Sequence, residues 1–295
     1  MYKLSKQIIC ILIFISISFF VLDKIYVYIH LHYSPRNTAD WIMSLDEKDS
    51  LDYVLLGSSR ILHHVDPIFI KNKHNLKGYN FGIPGSSPFE IKLAAKSIIR
   101  KKITKKIFIQ VDYIWNEILP AGEPTTQWFP YLNHQNIWND FKKLDNPQYQ
   151  FYHYIPFYRF IKNDAKLGFR ELFLSFLGKE FVSIKNNGFI PEYGKVDPLV
   201  KTNFYTFKKE YNIHFKEIEE LANQNNIQLF YFTAPIYNYP LKNKNHILKD
   251  YLPNYKDFSN SIDDSKLYKD QIHLNSEGAI EFTKIFMNFY FNQNS

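Results

Sequence analysis

Asp52–Arg60 reads DYVLLGSSR, and the fold is decided by this stretch. A short apolar run that ends on glycine has the pattern of a strand buried on both faces. Gly57 permits a sharp turn from strand to helix, and a serine at the start of that helix sits near its positive end. Tyr79–Ser87, YNFGIPGSS, follows as a loop with two glycines and a proline. Pro88–Lys102 then carries apolar residues at helical spacing, with proline in the first turn and basic residues in the last. Lys106–Val111, KIFIQV, reads as a second strand. Phe207–Asn225 reads as an amphipathic helix, Ile227–Thr233 as a third strand, and Asn275–Phe291 as a final helix opened by an Asn-Ser-Glu cap. Strand, helix and strand recurring with short turns predict an α/β fold on a parallel sheet, with any site at the carboxyl ends of the strands.

Composition excludes several classes. The chain has 295 residues, 45% of them hydrophobic, which a wholly disordered protein would not have. One cysteine excludes an internal disulfide framework, and no CxxC pair suggests zinc. The net charge of +7 comes from 31 scattered lysines and only five arginines, so no nucleic-acid partner is expected. There are only 10 glycines, about half the usual ~7%. Gly57, Gly78, Gly82 and Gly85 cluster, which marks the loops they occupy.

Residues 1–30 read as a membrane anchor. Ile8–Leu22 is an unbroken apolar run with two serines, preceded by Lys3 and Lys6. Continued through Tyr28 it reaches the ~20 residues a span needs, with Asp23 and Lys24 snorkelling at the interface and Tyr26 and Tyr28 in the headgroup zone. No small-residue cleavage site follows. The lysines place the N-terminus in the cytoplasm, so the chain is expected to cross the cytoplasmic membrane once and to carry the rest of its residues on the outer side. Residues 31–50 read as a linker and 51–295 as the α/β domain. Within it, about 113–206 breaks the strand-helix rhythm and holds about twenty aromatics, among them Trp115, Trp128 and Trp138. This insertion suits either sugar stacking or the small core of a cap. Its densest group, Tyr152, Tyr154, Phe157 and Tyr158 around Pro156, would face lipid or a membrane partner.

Two local features can cooperate chemically. Ser59 lies just past the first strand. Asp270 stands three residues before His273, just ahead of the last helix. A carboxylate at that spacing can orient an imidazole whose other nitrogen faces a hydroxyl, and nucleophilic acyl transfer requires these three groups. Arg60 reads either as a contact for a substrate carboxylate or phosphate or as a solvated helix-start residue. Asp112, at a strand end, reads either as a site residue or as a capping carboxylate. His63 and His64 lack spaced partners for a metal.

In this order and context the motifs resemble the SGNH/GDSL hydrolase superfamily. Its first block corresponds to Gly57-Ser58-Ser59, with Ser59 as nucleophile and Ser58 where the superfamily usually has Asp. The second, N-x-x-x-x-G, corresponds to Asn80 and Gly85, and the resemblance gives the Gly85 N–H an oxyanion role beside the Ser59 N–H. The late D-x-x-H block corresponds to Asp270 and His273. The third block departs: where G-x-N-D is usual, the chain reads Gln110-Val111-Asp112-Tyr113, with Asn116 a turn later. The resemblance implies a three-layer α/β fold and a serine esterase or O-acyltransferase without metal or organic cofactor.

The anchor, GSSR, NFGIPG and the late DxxH together look more like the membrane-anchored branch. That branch includes the D-alanyl transfer proteins of teichoic-acid modification and the alginate O-acetylation proteins. It implies an envelope polysaccharide and an acyl donor as partners, often beside a multi-pass membrane O-acyltransferase. Arg60, Asn80 and Asp112 are the candidate substrate contacts. The missing third-block Asn also fits a second reading, a catalytically silent glycan-binding or scaffold protein of an envelope assembly complex.

Overall fold

The computed structural model describes residues 2–200, 206–239 and 246–292. It divides into two compact units, Met1–Ser44 with Thr125–Phe181, and Leu45–Pro124 with Val182–Ser295.

The second unit is the α/β fold. Five strands, β1 (Tyr53–Leu56), β2 (Gly78–Asn80), β3 (Lys106–Gln110), β4 (Gln228–Thr233) and β5 (Tyr255–Asp257), form one sheet in the order β2-β1-β3-β4-β5. Every pairing is parallel, with Leu55 opposite Phe108 and Phe108 opposite Phe230. All four β1 residues are buried, as a central parallel strand covered on both faces requires. On one face, Tyr53, Leu55, Phe108 and Phe232 pack with Ile61 and Val65 and with Phe282, Phe286 and Met287 of the final helix Ser276–Tyr290. Burying each of those three helix side chains contributes about 1.5–3 kcal/mol. Helices Pro88–Lys101 and Ile213–Gln224 cover the other face, where Phe215 meets Tyr231 edge to face.

Three predicted strands are present; β2 and β5 are additional. Each has three residues and pairs on one side only. The helix expected over Phe207–Asn225 begins at Ile213, because the Asn212 side chain caps it by accepting the His214 N–H.

The first unit contains the N-terminal helix Tyr2–His32, of which Lys3–His32 is apolar and long enough to cross a membrane. A membrane anchor and a signal sequence share that character. In the stretch read as a linker, Thr38–Ser44 is a helix with Ala39, Trp41 and Ile42 buried. The expected insertion is shared out: residues 125–181 pack with the N-terminal helix in this unit, while 113–124 and 182–200 belong to the α/β unit. Its residues 201–205 lie outside the described residues.

Asp23 does not snorkel. It is buried, 3.0 Å from Arg159 Nη2, and it accepts the Phe157 N–H at 2.8 Å. A carboxylate on an apolar helix is tolerated where a buried guanidinium and an amide meet it. Asp40 joins the same unit's interior, held by His30 at 3.1 Å and by the Tyr131 hydroxyl at 2.6 Å. Trp128 and Trp138 are buried in this unit, and Trp138 stacks on His153 at 3.9 Å.

Candidate active site

The carboxyl ends of β1, β2, β3 and β4 and the loop before the final helix converge on Ser59. β1 ends at Leu56, and Gly57 turns the chain with φ +153°, outside the range of side-chain-bearing residues. A Cβ there would stand 2.8 Å from Gln110 Oε1 and 2.9 Å from its Cβ. Ser58 then caps the helix Ser59–His64, its Oγ accepting the Arg60 N–H. The Ser58 N–H and Oγ both donate to Gln110 Oε1, at 3.0 and 2.9 Å. Ser58 is thereby fixed inward, and Ser59, one residue on, faces the other way.

Ser59 Oγ lies 2.8 Å from His273 Nε2. His273 Nδ1 lies 2.9 Å from Asp270 Oδ2 and 3.1 Å from Oδ1. Asp270 Oδ1 also accepts the Ile272 and His273 N–H groups, so the carboxylate shapes the loop that presents the imidazole. Partial burial pushes the Asp270 carboxyl up. The hydrogen bond and charge of His273 and the two amides outweigh this and hold it at about 2. It therefore stays ionised at neutral pH and faces the Nδ1–H. Ser59 is half-buried, and a reacting group can reach it.

Gly85 occupies the left-handed region at φ +71°, where a Cβ would meet the Pro124 ring at 3.7 Å. The loop on either side of it is laced to the turn after β1: the Ile83 N–H and Ser86 Oγ both donate to Gly57 O, at 3.0 and 3.1 Å. Among the described residues, neither the Ser59 nor the Gly85 N–H is donated to another protein group. Unengaged backbone amides of this kind are the donors that a developing oxyanion requires.

The three residues expected to touch substrate are used inside the fold. Arg60 is fully buried. It pairs with Asp112 through Nη1, donates to Ala234 O and Pro235 O through Nη2 at 2.7 and 2.8 Å, and to Ile272 O through Nε at 3.1 Å. It is not solvated: it ties the helix Ser59–His64 to the ends of β3 and β4 and to the His273 loop. Asp112 is buried against Arg60 and the Gln110 side-chain amide. Burial holds its carboxyl above the usual range, against the pull of those two groups. Asn80 donates from Nδ2 to Ile61 O and Val65 O, at 2.6 and 3.0 Å, and accepts the Gly82 N–H. It secures the end of the helix Ser59–His64. Asn116, the nearest asparagine to the divergent third block, donates to Thr206 O at 2.6 Å and accepts the Lys208 N–H.

Sequence reading missed Gln110 and His64. Gln110 ends β3 in an apolar run, and nothing local marks it as the bridge between Ser58 and Asp112. Fully buried His64 accepts the Leu274 N–H at Nε2, 3.0 Å away. Burial first, then the neighbouring charges of Arg60, His273 and His63, lowers its pKa well below the usual value. A cavity of about 280 Å3 opens beside Gly85, lined by Ser86, Ser87, Tyr113, Ile114, Leu119 and their neighbours. Another of about 390 Å3, lined by Glu219, Gln228 and Asn254 among others, lies at the amino end of β4 and carries no nucleophile. Among the described residues no cluster of three or more His, Cys, Asp or Glu side chains fits a metal ion. No protein-family model and no curated protein matches the chain.

Proposed function

We propose that the chain is a serine esterase or O-acyltransferase of the SGNH/GDSL kind. It would act on cell-envelope polysaccharide, outside the cytoplasmic membrane, through an acyl intermediate carried on Ser59. The line Ser59 Oγ–His273 Nε2–Asp270, at 2.8 and 2.9 Å, carries this reading.

Ser59 Oγ attacks the acyl carbonyl carbon as its proton passes to His273 Nε2. Asp270 holds the imidazole by Nδ1–H and stabilises its charged form. The carbonyl oxygen, now anionic, accepts the Ser59 and Gly85 N–H groups. When the carbonyl re-forms, the bond to the leaving oxygen breaks, and that oxygen takes the proton from His273. A sugar hydroxyl or water then gives its proton to His273 and attacks the acyl-serine. Collapse releases the ester or acid and returns the proton to Ser59.

Lys3 and Lys6 ahead of the apolar helix support an outward-facing domain. The resemblance to the membrane-anchored branch supports a multi-pass O-acyltransferase as partner and an envelope polysaccharide as acceptor.

A fluorophosphonate probe tests the reading. The full chain should label, and Ser59→Ala should abolish labelling without loss of fold. A folded wild-type chain that does not label favours the silent glycan-binding or scaffold reading. In cells, O-acylation of envelope glycans unchanged by Ser59→Ala would sink the transferase.

A further inference from the structure

The turn joining helices Pro147–Tyr154 and Tyr158–Lys162 meets the N-terminal helix in an unusual way. Phe157 has φ +65°, a conformation costly for a bulky side chain. Its N–H donates to Asp23 Oδ1 at 2.8 Å, and Arg159, 3.0 Å from Asp23 Oδ2, also donates to Tyr152 O. This bracing presents the Phe157 ring to Tyr26, 4.8 Å away edge to face, and to Phe19, 6.0 Å away. Phe19 belongs to the apolar run and lies four residues before Asp23, about 6 Å along the helix axis. The turn therefore reaches past Asp23 and Lys24 to the level of Phe19 in the apolar run.

The side chains around the turn face outward. Phe151, Tyr154, Ile155 and Ile161 are 51%, 65%, 45% and 49% exposed. Lys162 is exposed beside them, with its ammonium 5.9 Å from the Tyr158 ring centroid. Apolar and aromatic side chains with a cation at their edge match the zone where headgroups meet acyl chains. A soluble surface would bear the cost of hydrating all four.

We propose that residues 151–161 form a wedge that lies in the lipid interface around the N-terminal helix, its apolar side chains among the upper acyl chains and Lys162 among the phosphates. The wedge rests on the reading of that helix as a retained anchor and is independent of the acyl-transfer chemistry. Asp23 and Arg159 set its depth.

The test uses the full chain in vesicles of phosphatidylcholine and phosphatidylglycerol. The native Cys10, exposed within the apolar run, reports on the anchor. The variant Ile155→Cys in a Cys10→Ser background reports on the wedge, and Phe151→Cys in the same background repeats it. An environment-sensitive fluorophore at position 155 should shift to the blue, lose intensity to a nitroxide near the headgroup, and resist aqueous iodide. Quenching by iodide with no response to the lipid nitroxide overturns the wedge. Shielding from both overturns it in favour of a protein contact, with a second copy or another membrane protein. A Cys10 fluorophore that no lipid nitroxide quenches overturns the anchor reading and the wedge with it. Quenching at Cys10 but not at 151 or 155 overturns the wedge alone.

Discussion

Ser58 and Ser59 are identical in chemistry and adjacent in sequence, yet one is a strut and the other faces a base. The difference is the backbone of Gly57, whose φ of +153° aims Ser58 at Gln110 and leaves Ser59 outward. Ser58→Ala removes a buried hydrogen bond and a helix cap, so it should cost about 1–2 kcal/mol in urea unfolding. Labelling of Ser59 by a fluorophosphonate should persist in that variant. Labelling lost in folded Ser58→Ala but kept in Ser59→Ala would reverse the assignment. Asp270 admits a similar comparison. Asp270→Asn keeps the shape of the carboxylate but favours the wrong imidazole tautomer, and the labelling rate should fall on the order of 10²–10⁴-fold.

At the scale of elements, Arg60 is the central tie. One guanidinium meets the ends of β3 and β4 and the loop that carries His273. Arg60→Met leaves Asp112 buried without its counter-charge, and should cost about 3–5 kcal/mol in chemical denaturation. Adding Asp112→Leu should restore most of that loss, because the pair then goes together. A double variant no more stable than Arg60→Met would show that the carbonyl contacts, not the charge pair, carry the energy. His64 binds the same loop through the Leu274 amide. Its folded pKa is lowered, so protonation favours the unfolded chain. Its contribution is full above the unfolded value of ~6.5 and is lost as pH falls below it. The melting temperature should fall between pH 7 and pH 5, and more steeply in the wild type than in His64→Gln. Parallel slopes in the two proteins would assign the loss to other groups.

At the scale of the molecule, the buried Asp23–Arg159 pair joins the N-terminal helix to a segment 136 residues away in sequence. Arg159→Met strands Asp23 inside the first unit and should destabilise that unit by about 3–5 kcal/mol. Hydrogen exchange should then accelerate across 125–181 and spare β1, β3 and β4. Uniform acceleration over both units would show that they unfold as one.

The legible parts were those that chemistry writes locally. Apolar runs marked β1, β3 and β4, the first closed by Gly57 and the last by Ala234-Pro235, because a strand buried on both faces is apolar along its length. Ser59, Asp270 and His273 stood out by spacing and context, since a three-residue turn suffices to bring the Asp to the His. β2 and β5 escaped notice because GYN and YKD, at the sheet edges, need no apolar run. Arg60, Asn80 and Asp112 read as candidate substrate contacts because nothing local reveals the partners that hold them inside the fold: each other for Arg60 and Asp112, and the Ile61 and Val65 carbonyls for Asn80. The aromatic stretch was legible as apolar mass but not as a partner of the N-terminal helix, since its short helices have no period that names the surface they cover. The sequence by itself determined the parallel α/β plan, the apolar N-terminal helix and the Asp270–His273 pair, because apolar runs, turn residues and a three-residue spacing are written locally. Only the tertiary structure decided which polar groups face inward and what the insertion packs against. Both depend on burial and on pairing between separate segments, 52 residues apart for Arg60 and Asp112, 136 for Asp23 and Arg159 and 214 for Ser59 and His273, where no local pattern holds the information.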